Sequence, residues 1–410
     1  MFYDRVVAER LAGPVSRGKV RLLFGARQTG KTALLRHLLA AQDTRFYDLQ
    51  DSGLRRRFEV DPAAFSREVR ALPRRIRNVV VDEIQKVPAL IEEVQALHES
   101  MPRSFGLFLT GSSARKLRVR SAGLLPGRSH AYRLHPVCGW EVTRALPARI
   151  GPVPSDGRGP RGTPFPAQSL SRTLRFGGLP GIRAEGAASA EATLAAYVEQ
   201  YLEEEIRREA LVREIGPFIA FLRLAALESG RQTNVAKLSQ ESRIPASTIR
   251  AFYQVLVDTF VGHWVGAYAR SARRRLLTTP RFCFFDVGVR NAAADLPLDV
   301  RMLNTQGGPL LEQWVAQELV ARAGYLGRGH RVSFWRTATG AEVDFVFETP
   351  REDVPIEVKW TENPRPDDAR HVETFLDEFA PRARRGYVVC RCASPEQLTA
   401  RVTALPWDML

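Results

Sequence analysis

Short apolar runs alternate with amphipathic stretches along the first part of this chain. Residues 20–24, 45–49, 78–81 and 105–109 are strand-like runs. Between them, Leu34, Leu35, Leu38 and Leu39 recur at helical spacing, as do Leu90, Ile91, Val94 and Leu97. Asp61-Pro62 opens a further helix that runs to about Leu72, with Asp61 as N-cap and Pro62 at the first position. Strands alternating with helices predict an α/β domain.

The pattern changes at residues 145–170, which are rich in Pro and Gly. That composition predicts an exposed linker or lid without a packed core. Helical periodicity resumes from Ala187 to about Val212 and continues to about Gly230. Residues 234–239 and 244–256 then read as helix, turn, helix. Two apolar stretches, 262–268 and 282–286, flank Arg270, Arg273, Arg274 and Arg275. This is the layout of a winged helix with a basic wing, and it suits a DNA reader or a protein-docking module equally. Beyond it lie an amphipathic helix (309–319), a hairpin around Thr339-Gly340, a strand (354–359), a helix (367–379) and a strand (386–390). The expected domains are 1–185, 186–295 and 296–410.

The first strand leads into Gly25-Ala26-Arg27-Gln28-Thr29-Gly30-Lys31-Thr32, a G-x-x-x-x-G-K-T loop opening an amphipathic helix. Glycine lets the backbone wrap a phosphate without a Cβ in the way. The loop N–H groups and the helix N-terminus point at the anion. Lys31 reaches the β- and γ-phosphates, and the Thr32 hydroxyl ligates Mg²⁺. The run ending in Asp82-Glu83 supplies the matching acids: Asp82 holds Mg²⁺ through water and Glu83 polarises the attacking water. Ser112, at the end of the 105–113 stretch, reads as a sensor of the γ-phosphate by hydrogen bond or as part of a simple turn. Arg128 lies in a basic segment with Arg115, Lys116, Arg118, Arg120 and Arg133. It reads as an arginine finger for a neighbouring subunit, a solvated loop residue or a nucleic-acid contact.

A second acidic constellation lies near the C-terminus. Glu357 and Lys359 are two apart on one strand and share a face. Asp344 on the neighbouring strand can lie beside them, and Glu312 can approach from the helix packed on that sheet. Asp344 and Glu357 would ligate a divalent ion, with Glu312 completing the shell and Lys359 orienting water or steadying phosphate charge. A salt-bridged sheet edge is the plainer reading.

Charge sharpens the picture. The net charge is +15, which favours a nucleic-acid partner over a merely basic surface. Of 60 Lys and Arg residues, most are Arg, yet both candidate sites place Lys where a compact ammonium is needed. Four scattered cysteines exclude a disulfide scaffold. No run of about 18 apolar residues is present, and the N-terminus lacks a signal-peptide core. The expectation is a soluble cytoplasmic protein with no membrane partner.

Taken in order, GARQTGKT, VVVDEIQKVP, LTGSSA, LPGR, FGGLP, FFDVG, GPLLEQWVAQEL, EVDFVFE and PIEVKW resemble the prokaryotic ATPases that join an N-terminal AAA+-type P-loop domain to a C-terminal DUF4143 domain. The resemblance implies an AAA-type core, a winged-helix segment and a PD-(D/E)xK restriction-endonuclease-like fold. It implies ATP with Mg²⁺ as cofactors and a second divalent ion in the nuclease-like site. It assigns Lys31 and Thr32 to the P-loop, Asp82 and Glu83 to the Walker B pair, Ser112 to the sensor and Arg128 to a finger acting in trans within a homo-oligomer. Asp344, Glu357 and Lys359 match the nuclease motif, with Glu312 as the helix acid. Trp360 departs from the pattern, because a small or polar residue is commoner after the lysine. The reading that follows is a Mg²⁺-dependent ATPase acting on nucleic acid, DNA more than RNA. The alternative is an ATP-driven switch that binds protein partners, its nuclease fold a silent scaffold.

Overall fold

The computed structural model describes residues 2–13, 18–101, 105–113, 127–142, 162–202, 215–269 and 279–410. The basic residues Arg115, Lys116, Arg118 and Arg120, the wing arginines Arg270, Arg273, Arg274 and Arg275, the end of the 187–212 helical stretch and most of 145–170 lie outside the described residues. The chain divides into two units. The first is Met1–His135 with Pro160–Pro164 and Asp258–Phe260; the second is Pro136–Gly159, Phe165–Val257 and Val261–Leu410.

The first unit is built on five parallel strands: β1 (Val20–Phe24), β2 (Thr44–Asp48), β3 (Asn78–Asp82), β4 (Gly106–Gly111) and β5 (Ser129–Arg133). Their order is β2-β3-β4-β1-β5. Every residue of β1 and β3 is buried, as continuous apolar runs in a covered parallel sheet should be. Tyr47, Phe58, Phe65, Val79, Val81 and Leu97 belong to its core. Because the strands are parallel, Phe24, Asp82 and Gly111 end on one edge, where such folds place ligands.

The second unit holds helices Val235–Ser242 and Ala246–Asp258. The Asn234 side chain caps the first, accepting a 3.0 Å bond from the Lys237 N–H. Then come β6 (Gly262–Ala267), β7 (Arg281–Phe284), β8 (Arg331–Arg336), β9 (Glu342–Glu348), β10 (Asp353–Val358), β11 (Gly386–Cys390), β12 (Glu396–Gln397) and β13 (Val402–Pro406). They form one sheet in the order β12-β13-β11-β10-β9-β8-β6-β7. Helix Met302–Leu326 packs on β8, β9 and β10, and helix Arg370–Glu378 on β9, β10 and β11.

The structural units are drawn differently from the expected domains. The first unit ends near His135 and not at 185, because the FGGLP stretch is knitted into the second unit. Asp286 accepts bonds from the Gly178 N–H (2.7 Å) and the Val289 N–H (3.0 Å). Gly177 has φ +74, and a Cβ there would lie 2.1 Å from Asp286 Oδ1. The segments 186–295 and 296–410 share one sheet, because β6 pairs in parallel with β8 through Gly266–Ser333 and Ala267–Phe334. All four cysteines are buried and free. Among the described residues, no helix is long and apolar enough to cross a membrane.

Candidate functional site

The loop after β1 is shaped by close approach. A Cβ on Gly25 would lie 2.4 Å from the Leu134 carbonyl oxygen, and Gly30 takes φ +93 just before helix Lys31–Leu38 begins. Thr29 Oγ1 donates to the Ala26 carbonyl at 2.9 Å. Arg5 braces the loop from outside, donating to the carbonyls of Thr29 (2.8 Å) and His135 (2.6 Å). Lys31 folds over the loop, its Nζ donating to the Gly25 and Ala26 carbonyls at 3.0 Å each. The same ammonium stands 4.0 Å from Glu83 Oε1.

At the end of β3, Thr32 Oγ1 donates to Asp82 Oδ2 at 2.6 Å, and Thr110 donates to Asp82 Oδ1. These are hard oxygen donors side by side, a set that fits Mg²⁺. Burial pushes the Asp82 carboxyl up, partly offset by the two threonine bonds. Glu83 turns into the left-handed region at φ 57 and ψ 49, its N–H bonded to Thr110 Oγ1 at 3.0 Å. Its carboxylate accepts from Ser112 Oγ at 2.8 Å and from the Gln85 amide. Burial alone would raise Glu83, but Lys31, Gln85, Ser112 and Arg27 outweigh it and hold the carboxyl below its usual value.

In the second unit, β9 and β10 run antiparallel with Phe345 opposite Ile356. Asp344 Oδ2 accepts from the Val358 N–H at 2.9 Å. Lys359 Nζ donates to Glu357 Oε1 at 2.7 Å, while Glu357 Oε2 is buried without a hydrogen-bond partner. Glu312 comes from helix Met302–Leu326 and lines a polar cavity of about 390 Å³ with Glu228, Arg231 and Gln306. Arg281 lies over the Phe334 ring at 4.4 Å, donates to the Asp344 carbonyl at 3.4 Å and is bonded to Glu342. Burial and then Asp344 raise Glu312 to about 7 and Glu357 to about 8. Burial also raises Asp344, against the Val358 bond and the charges of Arg281 and Lys359. The donor set is all oxygen and its orphaned atom is a buried carboxylate oxygen, so its chemistry fits a divalent ion. Among the described residues, however, no three acidic, His or Cys side chains are gathered as a metal cluster.

Comparison with known proteins divides the chain into three matched segments. Residues 17–143 match the AAA domain family, 167–299 match a domain of unknown function (DUF8612), and 307–410 match another (DUF4143). The chain joins an AAA domain to a C-terminal DUF4143 domain. Among solved structures, it is similar to a Walker-type ATPase of Pyrococcus abyssi, with 15% identity and TM-score 0.45 over 71% of this chain and 96% of that one. It is also similar to a protein from Vibrio cholerae, with 10% identity and TM-score 0.18 over 91% of this chain and 88% of that one. No curated protein matches in sequence.

The AAA domain brings together Lys31, Thr32, Asp82, Glu83 and Ser112 at one sheet edge. Arg128 sits elsewhere. Its carbonyl accepts from the Val20 N–H at 2.9 Å and its guanidinium pairs with Glu99 at 3.0 Å. That is the opposite end of β1 from the loop. In the DUF4143 domain, Trp360 is accounted for. It packs so closely on Gly307 that a Cβ there would lie 2.3 Å from the indole, and Arg391 stacks over the ring at 4.1 Å. Sequence reasoning missed Arg5, Gln85 and Arg281. For Arg281 there was a signal, a charge opening the otherwise apolar run Arg281–Phe284.

Proposed function

We propose that this chain is a Mg²⁺-dependent ATPase acting on nucleic acid, DNA before RNA, through a nuclease-like DUF4143 domain. One observation carries the second half of that reading. Glu357 Oε2 is buried with no partner, beside Lys359 and an acidic group that includes Asp344 and Glu312. Buried carboxylates without partners are costly, and proteins keep them where chemistry uses them. When bound, divalent ions neutralise phosphate charge in the AAA domain and polarise a phosphoryl oxygen in the DUF4143 domain.

The chain's own groups do the rest. The Gly25–Thr32 loop cradles phosphate, Lys31 leaves the loop carbonyls for the γ-phosphate, and Glu83 polarises the attacking water. Asp344, Glu357 and Glu312 hold the ion in the nuclease-like site, and Lys359 steadies charge on the scissile phosphate. The net charge of +15 and the helix pair 235–242 and 246–258, read as a winged helix, support a nucleic-acid partner. Arg128, facing away from its own site, is kept as a finger in trans.

A second reading has its own support. Arg281 brings a protein cation to Asp344 and Glu342, which suits a silent scaffold that binds protein partners. Cleavage of single- and double-stranded DNA and RNA with Mg²⁺ or Mn²⁺, with and without ATP, separates the two. Cleavage by wild type that is lost in Asp344→Ala and Lys359→Ala supports the nuclease. Absence of cleavage with ATP turnover intact supports the switch.

A further inference from the structure

Between the Walker B acids and the sensor serine lies a buried amide with no assigned role. Gln85 is 5% exposed. Its Nε2 donates to both Glu83 Oε2 and, at 2.9 Å, Ser112 Oγ. Ser112 in turn donates its one proton to Glu83 Oε2 at 2.8 Å. The three side chains close a triangle. The orientation of the amide follows from its neighbour, since the flipped form would set its oxygen against the carboxylate. Gln85 Oε1 is left buried without a partner, against Gly111, where a Cβ would lie 3.0 Å away. A buried acceptor left unsatisfied is a cost that packing alone does not require.

We infer that Gln85 is a positioning residue of the nucleotide site: its amide ties the Ser112 hydroxyl to the Glu83 carboxylate, so that γ-phosphate arriving at Ser112 releases Glu83 toward the attacking water. The inference rests on the ATPase reading above. Ser112 has a single proton and now spends it on Glu83. An anionic phosphate oxygen competes for that proton. When it wins, Glu83 Oε2 loses one of its two neutral donors and keeps the Gln85 bond. The carboxylate is then freed from the sensor without losing its place. The left-handed backbone at Glu83 turns its side chain back toward residue 85, which makes the triangle possible.

Gln85→Met keeps the volume and removes the donor. It should lower kcat about 10- to 100-fold while KM for ATP stays within about threefold. Combined with Ser112→Ala, it should cost little beyond Ser112→Ala alone, because one linkage has been broken twice. The ratio of ADP to ATP dissociation constants should also fall toward one in Gln85→Met, and this readout needs no turnover. Wild-type kcat in Gln85→Met overturns the inference, as do losses that multiply in the double variant. A fall in melting temperature with equal losses in kcat and nucleotide affinity reduces Gln85 to a core filler. No turnover in wild type overturns the ATPase reading, and the ADP/ATP ratio then decides alone whether Gln85 joins Ser112 to Glu83.

Discussion

Lys31 faces Glu83 in the AAA domain, and Lys359 faces Glu357 in the DUF4143 domain, yet the two carboxyls titrate in opposite directions. Their side chains are 12% and 8% exposed, so burial alone does not separate them. The charges and donors around them do. Glu83 receives bonds from Gln85 and Ser112 and lies near Lys31 and Arg27. Glu357 has the Asp344 carboxyl charge beside it, which raises it, against Lys359 on Oε1 and the Asp344 backbone N–H. Glu83 is therefore held toward its ionised form, and Glu357 toward its protonated form.

The hardest test of that contrast is Glu83→Gln. A carboxylate held ready as a base should be irreplaceable, so ATP turnover should fall about 10²–10⁴-fold. Affinity for ATP should persist in a fluorescent-nucleotide titration. Unchanged turnover would show that the donors around Glu83 serve structure and not catalysis.

The pH dependence of stability tests the other half. The folded-state value of Glu357 is raised from 4.5 to about 8. A raised carboxyl binds protons that the unfolded chain has released, so stability is lost as pH climbs between those values and the loss is complete above about 8. Glu357→Gln removes the penalty. It should melt above wild type at pH 8.5 and alike at pH 4.5 or below. Equal melting curves at both ends would mean that Glu357 finds donors in solution.

The smallest effect concerns how the second site is held. Gly307→Ala should gain up to about 1 kcal/mol of helix propensity but force a methyl onto Trp360, at about 1–3 kcal/mol for overpacking. A net loss of stability with nucleotide affinity unchanged would separate the two sites. A stabilised variant would show that Trp360 yields.

What the sequence made legible follows the range of the interactions. The loop from Gly25 to Thr32 is continuous in sequence, and the strand ending in Asp82-Glu83 carries its acids in one step. Glu357 and Lys359 share a face by the two-residue period of a strand. Gln85 was also close by, but its role depends on the left-handed turn at Glu83, which no periodicity encodes. Arg5 reaches its carbonyls across 24 and 130 residues, and Arg281 reaches Asp344 across 63. Such contacts exist only once the sheets are assembled. The same holds for FGGLP and FFDVG, which read as separate motifs and meet at Asp286.

The pairing of β6 with β8 has a consequence for inheritance. The 307–410 match supplies β8 to β13, while β6 and β7 lie within the 167–299 match. Two sequence families therefore build one sheet. A recombination event that carried off the C-terminal family alone would leave β8 with an open edge, ready to pair with any passing strand. The middle segment supplies the strand that pairs with that edge.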